Sequence, residues 1–452
     1  NWTNTDPTHR TLISSFDGGT STITGNGIGS GAGIFNLLEA GTQRLLIQDN
    51  TINGNGTGII ASADNVGTLL VTGILDNVVA ANNSDGIRLD SFGGATHFAL
   101  IEDTNVNGNG VVGGSGIRLV AGDPSATTSL LDVAIRSSTV NNTVSGSGIV
   151  GDVIDDAQLR LFVDNSTVSG NAGNGISLDI DTISNLAVNS ITVNSSTLNN
   201  NAGSAVVVST GTDTFTDIVV RNSLLNGGGG NGIGILADGD SGVVGVDNRT
   251  RLLAQGNLIT NFVGSGIGAA ATGDASLFVN IDGNEITDNG DNGGLPFFHG
   301  ISLIASDDAL LNGTITNNLV TDNFERGLRV DTLGNAATAL LLANNNFSGN
   351  DLGEDPANDP IVDAGIQDLL INNGATATTC IAMTNNFFTL DAGFVNAGAL
   401  PDFRLELDGV TNSFGGGTTF IGPISFPAFG TFCQPAINAE AAAFLADGFP
   451  PQ

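Results

Sequence analysis

The sequence has no lysine and no tyrosine, a single tryptophan (Trp2), a single methionine and only three histidines. Its twelve basic residues are all arginine and face 45 acidic ones, giving a formal charge of −33. Phosphate backbones are bound by basic surface, so this balance excludes nucleic acid as a partner. The same field disfavours anionic lipid and free polyuronate. With tyrosine absent and tryptophan nearly so, the rings that usually stack on sugars or anchor interfaces are missing, and phenylalanine is left mainly for the core. No apolar run reaches the roughly 18 residues of a membrane span and no signal peptide is present, so no membrane insertion is expected. Asn1 reads as a processed or excised start. The two cysteines, Cys380 and Cys433, have no Cys or His at ligand spacing around them, which argues against a metal site. They read either as a disulfide worth about 4 kcal/mol, as suits a secreted chain, or as two buried thiols.

What is present is a repeat. The unit Asp49 to Leu75 (DNTINGNGTGIIASADNVGTLLVTGIL) opens on Asx and β-branched residues and passes through an Asn/Gly turn. A short apolar strand at Gly58-Ile59-Ile60 follows, then a polar loop and a second apolar strand from Thr68 to Leu75. The strand after the Gly turn can be followed through Ile34, Ile59, Ile87, Ile117, Ile149, Ile176, Val206, Ile233, Ile267, Ile301 and Leu328, at spacings of 25 to 34 residues. Its residues alternate, as in Gly86-Ile87-Arg88-Leu89-Asp90, and show no helical period. One continuous array therefore replaces the two or three domains that length alone suggests.

On these residues the chain resembles the right-handed parallel β-helix superfamily, the pectate-lyase-like solenoids. The resemblance implies an all-β solenoid of about 12–13 coils over residues 1–421, with 1–19 as an irregular lead-in. Residues 422–452 read as a small C-terminal cap, with a short helix between Asn438 and Gly448 placed to cover the last strand edge. Inward Ile, Leu and Val would stack in columns. At one corner Asn50, Asn77, Asn165, Asn222, Asn257, Asn284, Asn318, Asn346 and Asn386 would form a ladder of side-chain amides.

Three sets of residues could carry chemistry. The loop after the Gly-Ile strand is acidic on most coils, and Asp152, Asp155, Asp156, Asp179, Asp181, Asp238 and Asp240 would line one edge, either as a Ca²⁺ site relieving like-charge repulsion or as a solvated edge. On the outer face of the same strand, alternation places Arg88 and Asp90 beside Arg118 of the next coil. The solenoid lyases that the chain resembles act on such a face with metal-holding carboxylates and an Arg or Lys base, and the hydrolases with clustered Asp. Here the carboxylates match no such motif. His299 reads as the end of a loop, and His9 and His97 as surface or packing residues. The sequence thus points to an extracellular or cell-surface structural or interaction protein without catalysis, a fibre, surface-layer or adhesin-like scaffold. Its partners would be other copies of itself, neighbouring segments of a larger assembly, or carbohydrate. The alternative is a polysaccharide lyase or glycoside hydrolase working at Arg88, Asp90 and Arg118, since this fold hosts both.

Overall fold

The structure, a computed structural model, describes residues 9–14, 21–26, 31–123, 128–181, 188–211, 213–239, 248–290, 298–350, 367–388, 391–396, 403–407, 413–414, 418–421 and 424–425. The chain is a right-handed parallel β-helix in which each coil lays one strand on each of three parallel sheets. It divides into two compact units, Asn1–Val208 with Asp213–Thr216, and Ser209–Thr212 with Asp217–Gln452.

In the first unit one coil runs Thr42–Gln48 on the first sheet, Asn50–Asn53 on the second and Thr57–Ala63 on the third, and the next begins at Leu69–Leu75. Like pairs with like from coil to coil. On the first sheet Ile47, Ile74, Ile101, Ile135, Val163 and Val193 are in register. The second aligns Ile52, Val79, Val106, Val140, Val168 and Leu198, and the third Ile34, Ile59, Ile87, Ile117, Ile149 and Ile176. Nearly all are fully buried, so the three columns are the core. The second unit repeats the scheme, with Ile233, Ile267, Ile301, Leu328 and Leu369 on its third sheet.

Backbone polarity at the corners is satisfied by side-chain ladders. Between the first and second sheets Asn50 N–H donates to Asn77 Oδ1 at 3.0 Å, while Asn77 Nδ2 donates to Ile47 O and Leu75 O at 2.9 and 2.8 Å. The column continues through Thr104, Ser138, Ser166 and Ser196, whose hydroxyls take over the acceptor role. In the second unit Ser223, Asn257, Asn284, Asn318, Asn345 and Asn386 do the same. Three positions differ from the sequence expectation. Asn165 and Asn222 take left-handed backbone, φ 48° and 51°, one residue before the ladder, which Ser166 and Ser223 occupy. Asn346 lies one residue after it, in the strand Asn346–Ser348, and Asn345 is the rung. A second ladder stands five residues further on: Asn55, Asn82 and Asn109, then Asn171 and Asn201, and in the second unit Asn289, Asn323 and Asn350.

The Gly before most third-sheet strands, replaced by Ala205 and Asp368 in two coils, is set by close approach. A Cβ on Gly86 would lie 2.6 Å from Gly116 O and 2.7 Å from Asn109 Nδ2, so the backbone and the second ladder leave no room for a side chain. The lead-in expected to be irregular carries a strand, His9–Ser14, paired with Thr42–Gln48. First-sheet pairing also continues beyond residue 421, where Ile424–Ser425 joins Phe403–Leu407. The cap helix, Cys433 and Asp240 lie outside the described residues. Among the described residues no helix is long and apolar enough to cross a membrane.

Candidate functional site

From the coil that starts at Thr42 to the one that starts at Ala337, length varies in only two of the three corners, whereas in the end coils Ile13 to Ile23 is five residues longer than the Ile47 to Ile52 it pairs with and Phe403 to Ser413 is two longer than Thr379 to Phe387. From the start of the first-sheet strand to the second-ladder position each of these inner coils spends fourteen residues, as in Thr42 to Asn55, Leu69 to Asn82, Thr96 to Asn109, Gln158 to Asn171 and Leu310 to Asn323. The variation lies in the corners on either side of the third sheet. The chain goes from Asn82 to Ile87 in one coil but from Asn109 to Ile117, Asn289 to Ile301 and Asn350 to Leu369 in others. The outer face of the third sheet is therefore the one bordered on both edges by unequal loops.

In the first unit this face carries, in register, Phe35, Ile60, Arg88, Arg118, Val150 and Ser177. Beside them run Ser62, Asp90, Val120, Asp152 and Asp179. Arg88 Nε donates to both carboxylate oxygens of Asp90 at 2.9 and 3.1 Å, and Asp90 also accepts from Ser62 Oγ at 2.7 Å. Arg118 Nη2 reaches Asp152 Oδ2 on the following coil at 2.7 Å. Arg88, Asp90 and Arg118 thus share one face, and each guanidinium is matched to a carboxylate. Beneath them His97, fully buried, places Nδ1 3.0 Å from Asp90 O and Nε2 2.9 Å from Thr72 Oγ1. Burial holds its pKa down at about 4, against the backbone contact with Asp90, so the ring is neutral at ordinary pH and fixes the backbone of Asp90.

Asp85 belongs to this face and was not singled out by sequence. It stands before the Gly of the Gly-Ile strand, where other coils have Ser115, Ser147 or Asn174, and that exchange of a neutral for an acidic residue is its only signal. Its buried carboxylate accepts the Ser115 N–H at 2.7 Å. Desolvation raises its pKa, outweighing the opposing effects of that hydrogen bond and of Arg118 and Arg88.

The acidic edge is more dispersed than the sequence suggests. Asp152 and Asp179 are neighbours in register and Asp181 lies across from Ile154. The pKa of Asp179 is raised by partial desolvation and then by Asp152 and Asp181. Asp155 sits in a turn with φ 57°, Asp156 follows it, and Asp238 accepts from Thr272 Oγ1 at 2.6 Å in the other unit. Among the described residues no three carboxylate, imidazole or thiol groups converge closely enough to hold a metal ion.

The second unit repeats the charge pair, with Gly327-Leu328-Arg329-Val330-Asp331 matching Gly86 to Asp90 and an Arg329 Nε–Asp331 Oδ2 distance of 2.8 Å. Next to it His299 ends the loop before the strand Ile301–Ala305, as expected, but it is buried, with Nδ1 3.0 Å from Glu325 Oε2, and Arg326 Nη1 lies 3.8 Å from the same oxygen. Burial, then Arg329 and Arg326, keep His299 well below the usual imidazole pKa and therefore neutral. Around the preceding corner a cleft of about 480 Å³ is lined by Asn261, Val263, Asp288, Asp322 and Phe324. Its partly exposed ring and carboxylates would suit an uncharged polyol better than an anion.

No protein-family model and no curated protein matches the chain. Among solved structures it is similar to the A-modules of two mannuronan C-5 epimerases of Azotobacter vinelandii. AlgE6 is 14% identical, with a TM-score of 0.39 over 86% of this chain and 91% of that one. AlgE4 is 14% identical, with a TM-score of 0.40 over 87% and 90%. Tailspike protein 3 of bacteriophage CBA120 is 11% identical, with a TM-score of 0.40 over 86% of this chain and 57% of that one. Scores this low carry no argument about chemistry, and the assignment as a right-handed parallel β-helix stands on the strand pairing of the chain itself.

Proposed function

We propose that the chain is an extracellular, surface-exposed interaction protein, an adhesin-like scaffold that engages its partner on the outer face of the third sheet without catalysing a reaction. One observation carries this reading: in the coils from Thr42 to Asn350 length varies only in the corners that border that face, and binding residues are drawn disproportionately from loops held on a rigid frame. The paired charges agree with it. Arg88 with Asp90 and Arg118 with Asp152 form a hydrogen-bonding surface of low local charge in a strongly acidic protein. A neutral polysaccharide is the partner that such a surface suits, since a polyanion would be repelled by the net charge. The test is retention of the purified chain on a panel of immobilised polysaccharides. Phe35→Ala combined with Arg118→Ala should abolish retention, whereas Phe98→Ala, exposed on the outer face of the first sheet, should leave it unchanged. Equal loss in both variants, or none in either, would sink the assignment.

The second reading is a lyase or hydrolase acting on the same face, and Asp85 favours it. Asp85 is a buried carboxyl whose pKa desolvation raises above the usual carboxylate range, in the field of Arg118 and Arg88, and such perturbed groups are candidates for proton donation. It predicts new reducing or unsaturated ends from one of the retained polymers, lost in Asp85→Asn. Retention with no new ends after prolonged incubation leaves the scaffold.

A further inference from the structure

In the first unit the outward residues of the second sheet differ in kind from those of the other two sheets. One column runs Thr51, Val78, Asn105, Thr139, Thr167 and Thr197, in register from coil to coil. The column two residues along runs Asn53, Ala80, Asn107, Asn141, Ser169 and Asn199. None of these side chains is buried, and none is charged or aromatic. The outer faces of the first and third sheets of the same unit carry Arg44, Asp132 and Arg160, and Arg88, Asp90, Asp152 and Asp179. Solvation alone would treat the three faces alike, so an uncharged one in a chain with 45 acidic residues has another cause. The groups on it are also held in place. Thr139 Oγ1 donates to Asn105 Oδ1 at 3.1 Å and Ser169 Oγ to Asn141 Oδ1 at 3.0 Å, each bond joining neighbouring coils. At the border Asn142 Nδ2 donates to Asn107 Oδ1 at 3.0 Å. Threonine is restricted further at χ1 by its branch at Cβ. Directly beneath lie the fully buried Val106, Val140 and Val168, and the face belongs to the fourteen-residue arm, so its spacing does not change between these coils.

We infer that this face binds the surface of ice. Charge selects the partner first: an uncharged face matches an uncharged ligand, while the net charge of −33 on the rest of the chain keeps copies from stacking on one another. Repetition selects it further. Hydroxyl and amide groups recur about 4.8 Å apart from coil to coil and about 6.6 Å apart along each strand, which makes a two-dimensional array. The shorter spacing comes close to the a-axis repeat of hexagonal ice, whose water molecules donate and accept as Thr, Ser and Asn do. A surface whose groups are already fixed loses little entropy when ordered water joins it. Other partners find less to hold. The face offers no aromatic platform to a sugar ring, and Val78 is its one large apolar group, too little to anchor a protein. Its centre lies at Thr139, Thr167 and Thr197, where the bordering corner residues are the uncharged Ser137, Asn165 and Ser195, whereas Asp49, Asp76 and Asp103 border the earlier coils. This site is separate from the outer face of the third sheet and does not depend on what binds there.

Nanolitre osmometry of the purified chain is the test. A single ice crystal held in its solution should grow faceted, with a gap between melting and freezing temperatures that widens with protein concentration. Thr167→Arg sets a charged side chain at the centre of the array and should close the gap, and Thr197→Arg should do the same one coil on. Phe98→Arg, the same charge added on the exposed outer face of the first sheet, should leave the gap as it is. Circular dichroism melts that match the parent's show each variant to be folded. Rounded crystals with no gap, even at millimolar concentration of the parent chain, overturn the inference. So does a gap that survives both Thr167→Arg and Thr197→Arg, or one that Phe98→Arg closes equally. Cosedimentation with crystalline cellulose by a chain that leaves ice unshaped would put a polysaccharide on this face and overturn it too.

Discussion

Replacing Asn77 tests how much the corner ladder contributes and whether its chemistry is understood. Asn77 is 1% exposed and its side chain makes four contacts. Oδ1 accepts from the N–H of Asn50 at 3.0 Å and from Asn50 Nδ2 at 3.2 Å, while Nδ2 donates to Ile47 O and Leu75 O at 2.9 and 2.8 Å. Asn77→Ala leaves the buried Asn50 N–H without an acceptor, which costs about 1–3 kcal/mol, and removes two donated bonds worth about 1 kcal/mol each. The expected loss is about 3–5 kcal/mol. Serine should behave differently, because the same column already uses it. Ser138 Oγ accepts from Thr104 N–H at 3.2 Å and donates to Arg136 O at 2.8 Å, which reproduces the acceptor and one of the two donor contacts. Asn77→Ser should therefore cost only about 1 kcal/mol. Urea unfolding of the three proteins would measure the difference, with hydrogen exchange at the Asn50 amide as the local readout, since long repeat arrays can depart from two-state behaviour. If alanine and serine destabilise equally, or alanine falls within about 0.5 kcal/mol of wild type, the ladder account is wrong.

Three further outcomes can be checked. Ile176→Asp buries a carboxylate in the third-sheet column and should cost several kcal/mol in the same urea assay, whereas Ser177→Asp, one residue along and outward, should be nearly silent; equal effects would mean the alternation is misassigned. For His97 the unfolded imidazole binds a proton near pH 6.5 and the buried one only near about 4. The unfolded state therefore takes up more protons in between, so its contribution is full above pH 6.5 and is lost as pH falls to about 4, by about 3 kcal/mol, and His97→Gln should flatten that slope in pH-dependent melts. If the acidic edge takes Ca²⁺, a chelator should lower the melting temperature and added Ca²⁺ should raise it in step with occupancy, while superimposable curves would leave a solvated edge.

The columns were legible because inward residues repeat at every second position and most third-sheet strands are preceded by a Gly whose neighbours crowd out a side chain, so both marks survive changes in loop length. The ladder was legible only to within one residue. Its corner has two adjacent positions that suit Asn, one with left-handed backbone and one that forms the rung, and Asn165-Ser166 fills them in the order opposite to what an Asn count suggests. The second ladder was hidden because Asn55-Gly56 and Asn109-Gly110 look like ordinary turns. Of the candidate site, Arg88, Asp90 and Arg118 followed from alternation. Asp85 and Glu325 did not, because they sit in corners where no period applies. The pairing of His299 with Glu325 joins successive coils and is set by how many residues the intervening loops spend, which local sequence does not encode.

The fourteen-residue arm has a consequence for how such a chain can change. Between neighbouring inner coils a single residue inserted within a strand of the arm would move its later side chains to the opposite face and break the second ladder with it, and the extra length seen between Ile13 and Ile23 is confined to an end coil. The other two corners carry no such lock, and loop length there costs only a slowly growing closure entropy. Gene-level duplication of coils would have to keep the arm in phase, with its breakpoints in those corners, and foreign segments grafted there should leave the frame intact. Heritable variation is thereby directed to the borders of a single sheet, and the surface that meets a partner can diversify while the scaffold beneath it is copied unchanged.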